Sequence, residues 1–335
     1  LKDIYKELAR KVKLIRGCLK MSIRSFLKLV EIQTKIASVI PFTLGTLYAY
    51  YRFNEFNFTN FIIMFISLLT FDMVTTTINN YYDYKNAIKI HGYNYERHNA
   101  IVRDNLKETT VVATIFILLT IAIVFGILLF LKTNVIVLIL GILSFSVGIL
   151  YSFGPVPISR TPFGELFSGL FMGFVIVFLS VYIHVYNQNI LLMVYDEGLL
   201  NININLAEII YVFLISIPTI NGIANIMLAN NICDIEDDIE NKRYTLPIYI
   251  GKERALKVFQ AVYYIIYADL IALYLLGITP ALTLLTLLTF IPTNKNIKLF
   301  FKRQSKKDTF VISIKNFVMI SLVYIFTIAA SIVLR

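Results

Sequence analysis

The sequence predicts an all-α, polytopic membrane protein of about nine transmembrane helices with a cytoplasmic N-terminus. Three observations carry this expectation. Apolar residues make up 58% of the 335-residue chain and charged residues only 16%, with a mean hydropathy of +0.73; soluble domains carry about 25% charged residues. Nine apolar stretches reach or approach the length that crosses a hydrocarbon core of about 30 Å. Lysine and arginine are confined almost entirely to one alternate set of the connecting segments, which fixes the orientation.

Taken in order, residues 1–30 are too charged to span and lack the apolar core and cleavage site of a signal peptide. Ile4, Leu8, Val12, Ile15, Leu19, Ile23 and Leu27 recur there at helical spacing. That pattern predicts a basic amphipathic helix lying on the inner membrane surface. A membrane domain over 31–335 follows, with spans expected near 34–51, 58–80, 110–131, 134–152, 164–187, 206–229, 256–276, 277–292 and 310–334. The seventh and eighth are short and joined by Leu-Leu-Gly-Ile-Thr-Pro. Residues 1–35 hold ten basic and three acidic residues. With that segment cytoplasmic, so are the loops 82–109, 153–163, 231–255 and 293–309. Together with Lys257 these regions carry 27 of the 31 basic residues. The net charge of +10 is therefore a topology signal that also favours anionic lipid, and nucleic acid is excluded as a partner. Cys18 and Cys233 lie far from any metal-ligand spacing, so neither a disulfide nor a zinc site is expected.

Two cytoplasmic helix ends carry the same pentapeptide, Asn-Asn-x-x-Asp, at Asn79–Asp83 and again at Asn230–Asp234. Residues four apart share a helix face, so Asn79 and Asp83 form one polar ridge, and Asn230, Asp234 and Asp238 a longer one. Asn231, Glu236 and Asp237 fall on neighbouring faces. One such copy is an ordinary helix end meeting water. Two copies in equivalent topological positions point to halves of one site, as internal repeats build them. Carboxylates at this spacing suit a hard cation such as Mg²⁺, completed by phosphate oxygens and water. The loops beyond them are cationic, with Lys85, Lys89, Arg97, Arg103 and Lys107 after the first, and Lys242, Arg243, Lys252 and Arg254 after the second. A third loop, Tyr-Ser-Phe-Gly-Pro-Val-Pro-Ile-Ser-Arg-Thr-Pro-Phe-Gly-Glu (151–165), is stiffened by three prolines and carries Arg160. Acidic groups, a divalent metal and Arg/Lys on one side of a membrane are equipment for a diphosphate.

At these residues the chain resembles the UbiA superfamily of intramembrane aromatic prenyltransferases, and within it the 1,4-dihydroxy-2-naphthoate prenyltransferases of menaquinone synthesis. The resemblance covers roughly 31–335. It is carried by residues 31–49, by Asn-Asn-Tyr-Tyr-Asp at 79 with Ala-Ile-Val-Arg at 100, by the 151–165 loop, and most specifically by 229–255. It implies a nine-helix UbiA-type bundle in the cell membrane, with aspartate-rich motifs on helices two and six facing the cytoplasm. It implies Mg²⁺ held by Asn79, Asp83, Asn230, Asp234 and Asp238. Catalytic roles fall to Asp83, Asp234, Arg160 and Lys35, and prenyl diphosphate or acceptor binding to Lys89, Arg103, Lys242 and Asn231. The chain departs from the family pattern at Lys89, where a further acidic residue is usual, at Cys233 in place of arginine, and at His98-Asn99 in place of two glycines.

The activity so implied is Mg²⁺-dependent transfer of a polyprenyl group from polyprenyl diphosphate to an aromatic acceptor, with 1,4-dihydroxy-2-naphthoate decarboxylated in the process. The alternatives are the same fold with a benzoquinone precursor or lipid alcohol as acceptor, and a cation-coupled secondary transporter. Carboxylates at helix ends among cytoplasmic cations speak against the transporter, whose sites lie at mid-membrane.

Overall fold

The computed structural model describes residues 21–86, 99–188, 190–196 and 199–335. Most of the expected amphipathic segment at 1–30, together with Lys89 and Arg97, lies outside them. The chain divides into two compact units. One comprises Leu1–Lys35 and Ile66–Val124, the other Ile36–Phe65 and Phe125–Arg335.

Among the described residues, seven helices are long and apolar enough to cross a membrane: Phe58–Lys85, Glu108–Lys132, Val135–Ser152, Gly164–Val185, Leu206–Cys233, Lys252–Leu275 and Val311–Val333. They coincide with seven of the nine expected spans. The other two expected spans are not among these seven. Ile36–Phe53 is an 18-residue helix with Pro41 inside it, and its tyrosines and Arg52 make it less apolar. The stretch expected to span 277–292 starts from a turn at Gly277 (φ 69°), forms a 3-10 helix over Ala281–Thr289 and continues as an α-helix over Phe290–Lys302. The threonine spacing accounts for the tighter coil. Residues three apart eclipse in a 3-10 helix, so Thr283, Thr286 and Thr289 line one buried face. The Tyr267 hydroxyl meets Thr289 Oγ1 at 3.0 Å and donates to Thr293 Oγ1 at 2.9 Å. The loop expected at 293–309 is thereby reduced to its last few residues.

The fold is all-α as expected, with one addition in the connection between two of the long helices. Leu191–Asp196 (β1) and Leu199–Ile204 (β2) form an antiparallel hairpin in which Leu191 faces Ile204 and Asp196 faces Leu199. The residues Leu-Asn-Ile-Asn-Ile alternate with period two, which suits a strand and not a helix.

In the first unit, the short helix Ile23–Leu29 is capped by the Ser22 hydroxyl, which accepts from Ser25 N–H at 3.0 Å. Leu29, Ala100, Ile101 and Val111 form an apolar cluster against Met21, Tyr81, Leu106 and Ile115. In the second unit the helices approach closely where glycine permits. A Cβ at Gly45 would lie 2.5 Å from the Val177 carbonyl oxygen, and one at Gly173 2.5 Å from the Ile220 backbone. Gly173 lies in a π-helical turn, Gly169–Val175, whose carbonyl at 173 accepts from the Thr219 hydroxyl at 2.9 Å. An apolar groove of about 500 Å³ between Leu282, Leu285, Leu288 and Met319, Val323, Phe326 contains no motif residue.

Candidate active site

The two pentapeptides are built alike. On the Phe58–Asn86 helix, Asn79 Nδ2 donates toward Asp83 Oδ2 at 3.5 Å, and on the Leu206–Cys233 helix, Asn230 Nδ2 donates to Asp234 Oδ2 at 3.2 Å. In each copy the leading asparagine and the aspartate one turn on share a face, as their spacing requires. The second asparagine, about 100° further round, is buried and serves the scaffold. Asn80 Nδ2 donates to the Leu29 carbonyl at 3.0 Å, while the Asn80 carbonyl accepts from Asn99 Nδ2 at 2.8 Å. Asn231 Nδ2 donates to Glu165 Oε1 at 2.9 Å. Glu165 opens the Gly164–Val185 helix, is 6% exposed, and leaves its second oxygen without a partner.

The second motif holds a cation of its own. Lys306 Nζ donates to Asn230 Oδ1 and, at 2.5 Å, to Asp234 Oδ2. Two oxygens one turn apart thus converge on one positive centre. Oxygen donors of this kind suit a hard divalent ion, although no group of three His, Cys, Asp or Glu placed to hold a metal ion occurs among the described residues. One carboxylate and one amide oxygen per motif fit Mg²⁺, which commonly takes one or two carboxylates and fills its octahedron with water and phosphate oxygens.

The helix pauses at Asp234, which ends one helix and starts the next, Ile235–Glu240. Asp238 N–H still donates to the Asp234 carbonyl at 2.7 Å, so the expected ridge continues through the break. Asp238 itself is buried. Its Oδ2 accepts from the Thr245 hydroxyl at 3.2 Å, and its Oδ1 lies 3.3 Å from Arg243 Nε, at an angle that makes an ion pair without a hydrogen bond. Burial raises the Asp238 carboxyl above the ordinary aspartate range, and Arg243 pulls it back. Burial, and then Asp234 nearby, raises Asp237 likewise.

The remaining expected site residues fall in several places. Arg160 ends the 3-10 turn Ile158–Arg160, and its carbonyl accepts from Tyr244 N–H at 3.1 Å, which seats the proline loop on the segment after the second motif. Lys242 is exposed on a left-handed residue (φ 53°) in that same segment. Arg103 is forked onto Asp104 at 2.8 and 3.1 Å, and that guanidinium lowers the Asp104 carboxyl to about 2. Lys35 is 3% exposed; it donates to Asp72 Oδ1 at 2.7 Å, the Asp72 carbonyl at 3.0 Å and the Thr76 hydroxyl at 2.6 Å, one turn before Asn79. Lys89 lies outside the described residues. Sequence reasoning passed over Lys306, Glu165, Asp72 and the ion pair of Arg243. Glu165 carried a signal, a carboxylate at the mouth of an apolar helix. Lys306 carried none, being one cation among Lys295, Lys298, Lys302, Arg303 and Lys307.

Comparison with known proteins gives this arrangement its context. Residues 38–322 match the UbiA prenyltransferase family. The chain is 30% identical over 250 residues to the 1,4-dihydroxy-2-naphthoate octaprenyltransferase of Bacillus subtilis (strain 168), which covers 75% of this chain and 73% of that protein. Its fold is similar to a UbiA homologue from Archaeoglobus fulgidus solved with GPP and Mg²⁺ (TM-score 0.62, 14% identity, 92% of this chain and 99% of that one). A UbiA homologue from Aeropyrum pernix K1 is similar as well (TM-score 0.64, 19% identity, 88% and 98%). At such identities these two structures speak to the fold, while the family match and the Bacillus relative speak to kinship. The chain is a prenyltransferase and belongs to the UbiA prenyltransferase family.

Proposed function

We propose that the enzyme transfers a polyprenyl group from polyprenyl diphosphate to 1,4-dihydroxy-2-naphthoate, in a Mg²⁺-dependent reaction that expels the acceptor carboxylate as CO₂. The observation that carries the metal requirement is the convergence of Asn230 Oδ1 and Asp234 Oδ2 on one cation. The acceptor rests on the Bacillus relative and on the stretch 229–255.

Asn79, Asp83, Asn230, Asp234 and Asp238 are the residues whose oxygens would hold Mg²⁺, and Asp238 is kept in place by Thr245 and Arg243. A divalent ion held there would supply positive charge against a departing diphosphate. Arg160, Lys242, Arg103 and Lys89 are assigned to the diphosphate or the acceptor carboxylate, where fixed cations stabilise developing negative charge. Lys35, bonded to Asp72 and Thr76, sets the pitch of the helix bearing the first motif. Asn231 acts through Glu165 to orient the second.

The chemistry balances without an oxidant. The allylic C1–O bond breaks with its electron pair leaving on diphosphate. The ring carbon bearing the carboxylate bonds to C1, and the C–CO₂⁻ bond then breaks, returning its pair to the ring as CO₂ leaves. Apolar helices keep water from the allylic cation in the interval. We place the enzyme in the cell membrane, with both motifs and the N-terminus on the cytoplasmic side.

The test uses membranes containing the enzyme, a polyprenyl diphosphate, and naphthoate labelled at its carboxyl carbon. Labelled CO₂ should appear in step with a prenylated product lacking the carboxylate mass. A product that retains its carboxyl, or activity only with another aromatic acceptor, overturns this acceptor.

A further inference from the structure

Lys306 sits in a turn tied together by its own side chains. Ser305 N–H donates to the Thr309 hydroxyl at 2.8 Å, Thr309 N–H returns to the Ser305 carbonyl at 2.9 Å, and Asp308 N–H donates to Ser305 Oγ at 3.3 Å. Arg303 pairs with Asp308 at 3.2 Å, and Gln304 Nε2 donates to the Phe300 and Phe301 carbonyls at 2.5 and 2.9 Å. The backbone under Lys306 is therefore held, while its side chain is 49% exposed. Its ammonium bridges Asn230 Oδ1 and Asp234 Oδ2, and lies 5.2 Å from the Phe310 ring centre.

We infer that Lys306 is a built-in competitor for the second motif's metal, a role that rests on that motif's holding Mg²⁺. A divalent ion on these two oxygens would sit about 2.0–2.1 Å from each, in the space the ammonium takes. Two cations cannot share that space in a half-buried setting, where their repulsion is only partly screened. Metal entry thus requires Lys306 to leave. The Phe310 face gives the ammonium an alternative seat of modest strength, and a diphosphate oxygen gives it a stronger one. Metal alone is held weakly, and metal arriving with the prenyl diphosphate is held well, because only the second route gives the displaced lysine an anionic partner. Lysine suits this exchange, being a compact charge on a flexible stem.

The experiment measures Mn²⁺ affinity of the full-length enzyme in detergent by electron paramagnetic resonance, without prenyl diphosphate. All proteins carry Asp83→Asn, so that the second motif dominates the reading. Lys306→Met and Lys306→Gln should each bind Mn²⁺ at least about tenfold tighter, whereas Lys306→Arg should not. Asp234→Asn in the same background should weaken binding. If Asp234→Asn weakens binding but neither neutral variant tightens it, the competition is wrong and the metal site stands. If Asp234→Asn changes nothing, the metal assignment fails and the competition with it. Two neutral variants of different shape guard against one of them failing to fold.

Discussion

Glu165 accepts the amide of Asn231 at 2.9 Å in a setting where both side chains are buried. The contact joins the mouth of one long helix to the motif of another within the second unit. It should be structural first. Glu165→Ala leaves a buried amide unsatisfied, which costs about 1–3 kcal/mol. Glu165→Gln keeps an acceptor for Asn231. Thermal stability in detergent should therefore fall clearly for the alanine and little for the glutamine. Equal losses would mean that the negative charge, and not the hydrogen bond, is what matters.

Asp83→Ala and Asp234→Ala should each cost more than about tenfold in turnover, a loss that needs only about 1.4 kcal/mol of transition-state stabilisation. The expectation follows from the equal construction of the two motifs. The assay is product formation normalised to the amount of folded enzyme in the membrane. Retention of most activity by either variant would remove that motif from the chemistry.

Neighbouring asparagines should separate cleanly. Asn80 ties the Leu29 carbonyl to the Asn99 side chain, while Asn79 is exposed beside Asp83. Asn80→Ala should lower the unfolding temperature. Asn79→Ala should leave that temperature nearly unchanged and raise the Mg²⁺ concentration needed for half-maximal rate. A reversed pattern would exchange their roles.

Asp104 offers a pH reading away from the motifs. Its carboxyl is lowered to about 2 by Arg103, with Ser25 also contributing. A depressed carboxylate stabilises the fold above its unfolded value of about 3.9, and that contribution disappears as pH falls toward about 2. The carboxyl carbon resonance of Asp104 should titrate near the lower value. Arg103→Met should return the midpoint toward the ordinary aspartate range, and an unmoved midpoint would assign the depression to other groups.

The charge distribution makes a prediction about sidedness. A cysteine introduced at Lys242 should react with a membrane-impermeant thiol reagent in inverted vesicles and resist it in intact cells. Labelling in intact cells would turn the whole arrangement over.

Hydropathy alone located the long helices, because a membrane demands length and apolarity that few other segments share. It did not anticipate how the 281–302 segment coils, since threonine is neutral on such scales and only its three-residue spacing holds the information. The hairpin was written in the alternation of Leu200 to Ile204, but it falls in the connection between two expected spans, where no element was looked for. The pairs Asn79–Asp83 and Asn230–Asp234 were legible because a repeat carries its own spacing. The opposite duties of the two asparagines in each copy were not, since identical residues differ there only by their angle on the helix. Lys306 reaches its partners across 72 and 76 residues of chain, a pairing that folding creates and sequence distance conceals.

The seat of Gly173 on Ile220 has a mechanical consequence. Backbone touches backbone there, so the helix carrying Glu165 and the helix carrying Asn231 are keyed at one depth. Axial slip by a single residue would be about 1.5 Å and would drive a neighbouring side chain into the Ile220 main chain. The two helices must therefore travel as one piece. Whatever motion admits the prenyl donor must take place elsewhere, on helices whose contacts are made by side chains that can yield.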